Sequence, residues 1–382
     1  MSLKDFDIQV CLVSEQAIPN FFPILEYRPK EVFLIVTERM KTKANLLEDK
    51  IRQRTQAKVE QIHIASEFNM PEVEEHLLEL LEKSDGKKIA LNLTGGTKLM
   101  SFAAMNLFRD LGADMFYVTP ENKIYWFEKG KTGQGNIIPT DTLKVSVEDM
   151  MFLHGYKVLP DETNKTFHKD WLPFAKELVQ FPSMANALSS LNKAISESID
   201  TNKKSVQIVL PHDPDHALGQ VLSTAENCGL LTWKGKQITF DSIEARDYVA
   251  GGWFEEYVFD IVNGLDEMQG CAMSVQIDLQ DKKNGKRNEL DVVFVAKNKL
   301  FIIECKTRNF LSEKLTDEQK NEVIYKLQTL GELGGKETKT ALVSLRETES
   351  FMRTRAEGGK VALWEKDQIK GLKKLLQTWI NK

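Results

Sequence analysis

Leu300-Phe301-Ile302-Ile303-Glu304-Cys305-Lys306 is an apolar run that ends in a carboxylate and an ammonium two residues apart. Successive side chains on a strand point to opposite faces, so Glu304 and Lys306 emerge together while Cys305 turns to the core. Just upstream, Glu289 to Val295 reads as a second strand, joined to Leu300–Cys305 by a three-residue turn, Lys297 to Lys299. The hairpin brings Asp291, near the start of its strand, close to Glu304. Two carboxylates in one pocket repel each other and invite a divalent cation. A neighbouring lysine cannot ligate that cation, but it can stabilise an attacking hydroxide or the charge developing on a phosphate. Alone, Glu-x-Lys on an edge strand is an ordinary solvated ion pair. Here the strand is too apolar for a routine surface strand, and a helix carrying paired acids precedes it.

That helix runs from Trp253 to about Asn263 and carries Glu255 and Glu256, either of which can supply a further acid. A strand over Ser274–Leu279, a helix over Thr316–Leu330 and a strand over Thr340–Leu345 complete an α/β pattern. The residue set suits phosphodiester hydrolysis. Mg²⁺ or Mn²⁺ held by Asp291 and Glu304 would lower the pKa of bound water and neutralise phosphoryl oxygens, with Lys306 orienting the nucleophile. Lys282, Lys283, Lys286 and Arg287 form a basic hairpin tip, either a solvated turn or a phosphate contact. Lys326 on the following helix is a second phosphate-contact candidate.

Gly251-Gly252-Trp253-Phe254-Glu255, then Glu289-Leu290-Asp291-Val292, then Glu304-Cys305-Lys306 resembles the PD-(D/E)xK nuclease superfamily over about residues 250 to 350. The pattern departs from the nominal form at Leu290, where a proline is usual. The resemblance favours Glu255 over Glu256 as the third acid, and gives the catalytic set Glu255, Asp291, Glu304 and Lys306.

The first 130 residues alternate strand and helix, which argues for a doubly wound, mostly parallel sheet. The fourth strand ends in Asn92-Leu93-Thr94-Gly95-Gly96-Thr97-Lys98 and leads into a helix with apolar positions Leu99, Phe102, Ala103 and Leu107. Glycines permit close backbone approach, and the N–H groups at a helix start favour anions. The spacing fits neither the Walker A loop nor the dinucleotide fingerprint. Ser14-Glu15-Gln16 and Thr37-Glu38-Arg39 end two other strands, and such carboxyl ends border one ligand crevice.

This arrangement resembles the CARF domain, the Rossmann-like sensor of cyclic oligoadenylates in type III CRISPR systems, over roughly residues 5 to 130. With a PD-(D/E)xK domain behind it, the chain resembles the CRISPR ancillary nucleases activated by cyclic tetra-adenylate. The resemblance implies a homodimer with the ligand between two sensor domains. It implies ligand contacts at Ser14, Gln16, Thr37, Thr94, Gly95, Gly96, Thr97 and Lys98. It also implies cleavage of single-stranded RNA or DNA, or nicking of duplex DNA. The expected division is 1–137 for the sensor, 138–248 for a helical and β-hairpin connector compatible with a winged helix, and 249–382 for the restriction-endonuclease-like α/β nuclease. Two other readings stand beside it. One is a restriction or repair nuclease whose N-terminal domain only dimerises. The other is a CARF-type transcriptional regulator with a degenerate nuclease fold.

Composition sets bounds on these readings. The 382 residues are 42% hydrophobic and 28% charged, with a net charge of −5, so nucleic-acid binding requires a local basic groove. Cys11, Cys228, Cys271 and Cys305 are scattered, which disfavours a zinc site or a disulfide framework. His212 and His216 have zincin-like spacing, but Pro214 between them marks a turn, with Asp215 as an N-cap. No signal-like start and no apolar run of about 18 residues occurs, so a cytoplasmic location away from membranes is expected.

Overall fold

The computed structural model describes residues 5–84, 86–121, 123–127, 135–138, 145–159, 166–201, 204–279 and 287–382. The basic tip residues Lys282, Lys283 and Lys286 lie outside the described residues; Arg287 lies within them.

The N-terminal unit runs β1 (Ile8–Leu12), α1 (Ile18–Tyr27), β2 (Glu31–Thr37), α2 (Lys41–Arg54), β3 (Lys58–Ile64), α3 (Met70–Lys83), β4 (Ile89–Asn92), α4 (Lys98–Asp110), β5 (Asp114–Val118), β6 (Ile124–Phe127) and β7 (Gly135–Ile138). Its sheet has the order β3-β2-β1-β4-β5-β6-β7. The first five strands in that order pair in parallel, and the β5–β6 and β6–β7 pairs are antiparallel. Asn69 caps α3, Thr97 caps α4, and Gly112 follows α4 with a left-handed φ of 61°. The chain winds outward from β1 in one direction and from β4 in the other, so a crevice opens between the carboxyl ends of these two strands. Residues 128–137 read as a glycine-rich loop in sequence, yet 135–137 fall in β7. The Gly-Asn start of this four-residue strand hides its character.

Next come α5 (Val147–Leu153), β8 (Tyr156–Val158), α6 (Leu172–Gln180), α7 (Pro182–Thr201), β9 (Gln207–Val209), α8 (His216–Asn227), β10 (Leu231–Lys234), β11 (Gln237–Phe240) and α9 (Ile243–Asp247). The β10–β11 hairpin forms as expected, and β9 adds a third strand on the far side of β11. Asp215 caps α8, accepting from the Leu218 amide at 2.8 Å. Two short elements in the expected connector join its neighbours instead. Met150 and Met151 of α5 are buried in the core shared with the N-terminal helices, and β8 pairs with the C-terminal sheet. A three-residue strand is too short to show a period.

The C-terminal unit comprises α10 (Trp253–Asn263), β12 (Met268–Leu279), β13 (Asn288–Ala296), β14 (Lys299–Lys306), α11 (Asp317–Leu330), β15 (Lys339–Ser344), α12 (Ser350–Gly358), β16 (Val361–Glu365) and α13 (Leu372–Asn381). Its sheet order is β16-β15-β14-β13-β12-β8. The β13–β14 turn has two residues rather than three. Ala296 pairs with Lys299, and Lys297 and Asn298 both take positive φ, 50° and 53°. That is the type I′ geometry that matches strand twist, and asparagine tolerates it.

The two faces of this sheet enter different cores. Val292, Phe294, Phe301, Ile303 and Cys305 pack with Trp253 and Val258 of α10 and Leu376 of α13. Val293, Val295, Leu300 and Ile302 pack with α5 and the N-terminal helices. The strand alternation read from sequence is therefore obeyed, and Cys305 is core. Asp291, Glu304 and Lys306 share the parity of the second face and lie where it runs out from under the N-terminal unit. Among the described residues no helix is long and apolar enough to cross a membrane.

Candidate active site and N-terminal crevice

The β13–β14 ladder stops at Val292–Ile303, one step short of Asp291 and Glu304. From there β14 pairs onward with β15, Glu304 against Leu342 and Lys306 against Ser344. The amide released by the splayed hairpin is taken by a side chain: Cys305 N–H donates to Asp291 Oδ2 at 2.8 Å. Lys306 Nζ lies 3.2 Å from the same oxygen and 2.7 Å from Glu304 Oε1. Both carboxylates are buried, Asp291 at 6% exposure and Glu304 at 3%.

Burial raises the Asp291 pKa above its ordinary value and the Glu304 charge adds to this, against the opposing pull of Lys306 and the Cys305 amide. For Lys306, burial works to depress the ammonium, but Asp291 and Glu304 outweigh it and hold the pKa above the normal lysine value. Lys306 is thereby held as a cation between the two carboxylates. Burial, then the Asp291 charge, push the Cys305 thiol up, so it is inert.

Lys326 of α11 is a member of this cluster. Its ammonium donates to Glu304 Oε1 at 3.0 Å, to Oε2 at 2.8 Å and to the Glu289 carbonyl at 3.1 Å. The two candidate acids on α10 separate clearly. Glu256 is buried and accepts from His168, from the backbone N–H at 2.8 Å and at Nδ1 at 2.9 Å. Glu255 accepts from Ser274 Oγ at 3.4 Å. Ser274 is buried with a left-handed φ of 49°, at the place on β12 that faces Asp291. Strained non-glycine backbone beside a polar cluster is a recurrent mark of functional sites. A lone serine in a strand carries no sequence signal of this.

A cavity of about 750 Å³ opens over Glu304 and Lys306. Arg287, Arg308, Tyr325 and Lys326 line it, together with acids including Glu289 and Glu322. Tyr325 is half exposed and carries the Arg355 guanidinium over its ring. Arg308 and Tyr325 are additions to the residues singled out in sequence. Among the described residues no three His, Cys, Asp or Glu side chains gather as a preformed metal site. The donor set at the splayed hairpin is therefore the carboxylate pair Asp291 and Glu304. That pair fits a divalent cation chemically, because two buried, mutually repelling carboxylates are relieved by one.

In the N-terminal crevice, Ser14, Gln16, Thr37, Gly96 and Thr97 line a cavity of about 200 Å³. Ser14, Gln16 and Thr94 line a second, of about 270 Å³. Gly95 and Lys98 line neither. Several of the polar groups are committed to the fold. Asn92, fully buried, donates to the Pro19 carbonyl and to Asn20, and accepts from Thr94 N–H and Oγ1. The Val118 amide donates to Thr94 Oγ1. Thr97 Oγ1 caps α4 and donates to the Glu67 carbonyl. This asparagine-centred frame, which fixes the Thr94–Lys98 loop, is also invisible in a single sequence.

Residues 8–149 match the Card1 CARF domain family, and residues 242–382 match the Card1-like endonuclease domain family. No curated protein matches the chain by sequence. Among solved structures, Can2 from Sulfobacillus thermosulfidooxidans in complex with cyclic tetra-adenylate is 25% identical. The match covers 99% of this chain and 98% of that one, with a TM-score of 0.75. Protein VC1899 from Vibrio cholerae has the same fold at 23% identity and TM-score 0.84, over 98% of both chains. A type III CRISPR defence DNA nuclease activated by cyclic oligoadenylate shares the fold at 19% identity and TM-score 0.57, over 90% of this chain and 46% of that one. With a Card1 CARF domain and a Card1-like endonuclease domain in one chain, and a fold shared end to end with Can2, this protein belongs to the CARF-domain nucleases.

Proposed function

We propose that the chain is a metal-dependent nuclease switched on by a cyclic oligoadenylate, cyclic tetra-adenylate in the first instance. The observation that carries the nuclease half is the splayed hairpin, with Asp291 and Glu304 buried side by side and Lys306 bridging them. The end-to-end likeness to Can2, whose structure holds cyclic tetra-adenylate, supports the activator.

Asp291 and Glu304 would hold Mg²⁺ or Mn²⁺, and Glu255, braced by Ser274, is the third acid on this reading. The cation supplies a more acidic bound water and neutralises phosphoryl oxygens. Lys306, held between the carboxylates, orients the nucleophile and stabilises the charge that develops on the scissile phosphate. Arg308 and Lys326 face the same cavity and contact the substrate backbone, and Tyr325 offers a ring on which a base can stack. Its half-exposed ring favours single-stranded RNA or DNA as substrate, or a duplex opened at a nick. Glu256 is a poor candidate for the third acid because its carboxylate already holds His168.

In the crevice, Ser14, Gln16, Thr37, Gly96 and Thr97 contact the ligand. The Gly95 backbone sits between them, Thr94 shapes the floor, and Lys98 at the start of α4 adds charge from outside the two cavities. The chain acts as a homodimer on this reading. Leu99 and Phe102, one turn apart on α4, and Phe68 beside the start of α3 are exposed apolar groups.

The test is cleavage of single-stranded RNA, single-stranded DNA and supercoiled plasmid in Mn²⁺ or Mg²⁺, with and without cyclic tetra-adenylate. The expected result is metal-dependent cutting that needs the ligand and is lost at least about a hundredfold in Glu304→Gln. Equal cutting without any cyclic oligoadenylate would sink the activation. Undiminished cutting by Glu304→Gln would sink the site.

A further inference from the structure

The crevice at the ends of β1 and β4 is not walled by the N-terminal unit alone. Lys336, in the loop between α11 and β15, lines both cavities, and it shares that position only with Ser14 and Gln16. It therefore stands at the partition between them, and it is exposed.

The approach of this loop is close. A Cβ at Gly335 would lie 2.8 Å from His154 Nε2 and 2.9 Å from Gln16 Oε1, and Gly335 has φ 83°, so only glycine fits there. Leu330 and Leu333, on either side of the end of α11, are buried in the core shared by the two units. The His154 Nε2 that faces the loop is buried and has no hydrogen-bond partner among the described residues. Ten residues before Lys336, on α11, Lys326 holds both oxygens of Glu304. One short segment thus has its C-terminal end in the crevice and its N-terminal part on a carboxylate of the cleavage site.

We propose that Lys336 is a ligand contact delivered by the C-terminal unit, pairing with a phosphate of the cyclic oligoadenylate. We further propose that its engagement pulls on the 331–338 loop and shifts α11, and with it the Lys326 hold on Glu304. The proposal rests on the sensor reading above.

The test is calorimetric titration of the full-length chain with cyclic tetra-adenylate, together with hydrogen exchange of residues 317–330. Relative to wild type, Lys336→Ala weakens binding about ten- to a hundredfold, the value of one hydrogen bond to a charged group. Lys336→Arg restores most of that loss. In wild type the ligand alters exchange over 317–330. In Lys336→Ala, at ligand concentrations that saturate it, that alteration is lost. Lys336 is exposed, so its replacement does not threaten folding, and an unchanged melting temperature checks this. Wild type that binds no ligand would overturn the sensor reading, and this inference with it. Wild type and Lys336→Ala binding equally well would overturn the contact alone. An intact α11 response in saturated Lys336→Ala would overturn the coupling.

Discussion

Lys326 and Glu304 form a two-point contact across the mouth of the cavity, one ammonium donating to both carboxylate oxygens at 3.0 Å and 2.8 Å. Lys306 holds Oε1 as well, at 2.7 Å. The charge of Glu304 is thereby compensated by two lysines. Buried carboxylates need such compensation, since an uncompensated one costs several kcal/mol.

On the proposed reading, Lys326 and a divalent cation would compete for Glu304. Lys326→Ala is expected to tighten Mn²⁺ binding about tenfold, since removing one opposing charge near a buried carboxylate is worth on the order of 1.4 kcal/mol. Cleavage at saturating metal is expected to fall in the same variant, because a phosphate contact is lost with the ammonium. Mn²⁺ titration followed by electron paramagnetic resonance reads the first effect independently of activity. Weaker Mn²⁺ binding in Lys326→Ala would refute the competition.

Asp291 gives a pH-dependent counterpart. Its pKa is raised in the fold, by burial first and by Glu304 second. A raised carboxylate contributes stability below its unfolded pKa and loses that contribution as pH rises through the folded value. At neutral pH the ionised Asp291 is thus a cost, and a bound divalent cation offsets it. Mn²⁺ should raise the melting temperature by several degrees at about pH 8, and by progressively less as pH falls toward the folded pKa of Asp291. In Asp291→Asn the metal effect should vanish, while the metal-free variant melts no lower than metal-free wild type at about pH 8. A metal-induced rise that survives in Asp291→Asn would rule this out.

The two glutamates on α10 are expected to fail differently. Glu255→Gln should cut cleavage about ten- to a hundredfold with little change in melting temperature, as loss of one positioned acid does. Glu256→Gln should act on stability instead, because its carboxylate receives two hydrogen bonds from His168. Loss of such a charged, buried contact costs about 1.5–3 kcal/mol. Steady-state rates and thermal melts on both variants separate the two. A Glu256→Gln enzyme that is stable but inactive would reverse the assignment.

Why sequence distinguished some of these residues and not others follows from range. Glu304, Cys305 and Lys306 were legible because strand alternation acts over two residues, and the Asp215 cap of α8 because capping acts over three. The doubly wound, mostly parallel character of the N-terminal sheet was legible because βαβ connections leave few alternatives. Lys326 could be picked out as a cation near the site, but its grip on Glu304 spans a crossover connection. Ser274, Asn92 and Lys336 had no local mark at all. Ser274 reaches Glu255, Asn92 reaches Asn20 as well as its neighbour Thr94, and Lys336 lines the far domain's crevice. The β8 strand was lost for a further reason, since its pairing partner β12 lies more than a hundred residues on.

Gly95 turns out to matter to the fold in a way a phosphate-loop reading does not require. Its Cα faces the backbone of Leu12, and an added Cβ would fall on the Leu12 carbonyl oxygen, well inside van der Waals contact. That oxygen also accepts from Asn20 Nδ2 at 2.9 Å, so it cannot move aside without breaking a buried hydrogen bond. Gly95→Ala is therefore expected to destabilise the N-terminal unit by about 1–3 kcal/mol, the range for overpacking a tight core. Gly96→Ala should cost less, on the order of 1 kcal/mol, because its strain is mainly that of a side chain at φ 70°. Urea unfolding followed by N-terminal tryptophan fluorescence, with Trp126 as the reporter in that unit, measures both. If Gly95→Ala unfolds at the same denaturant concentration as wild type, the β1–β4 contact is looser than the structure has it. The glycine there would then be explained by ligand approach alone.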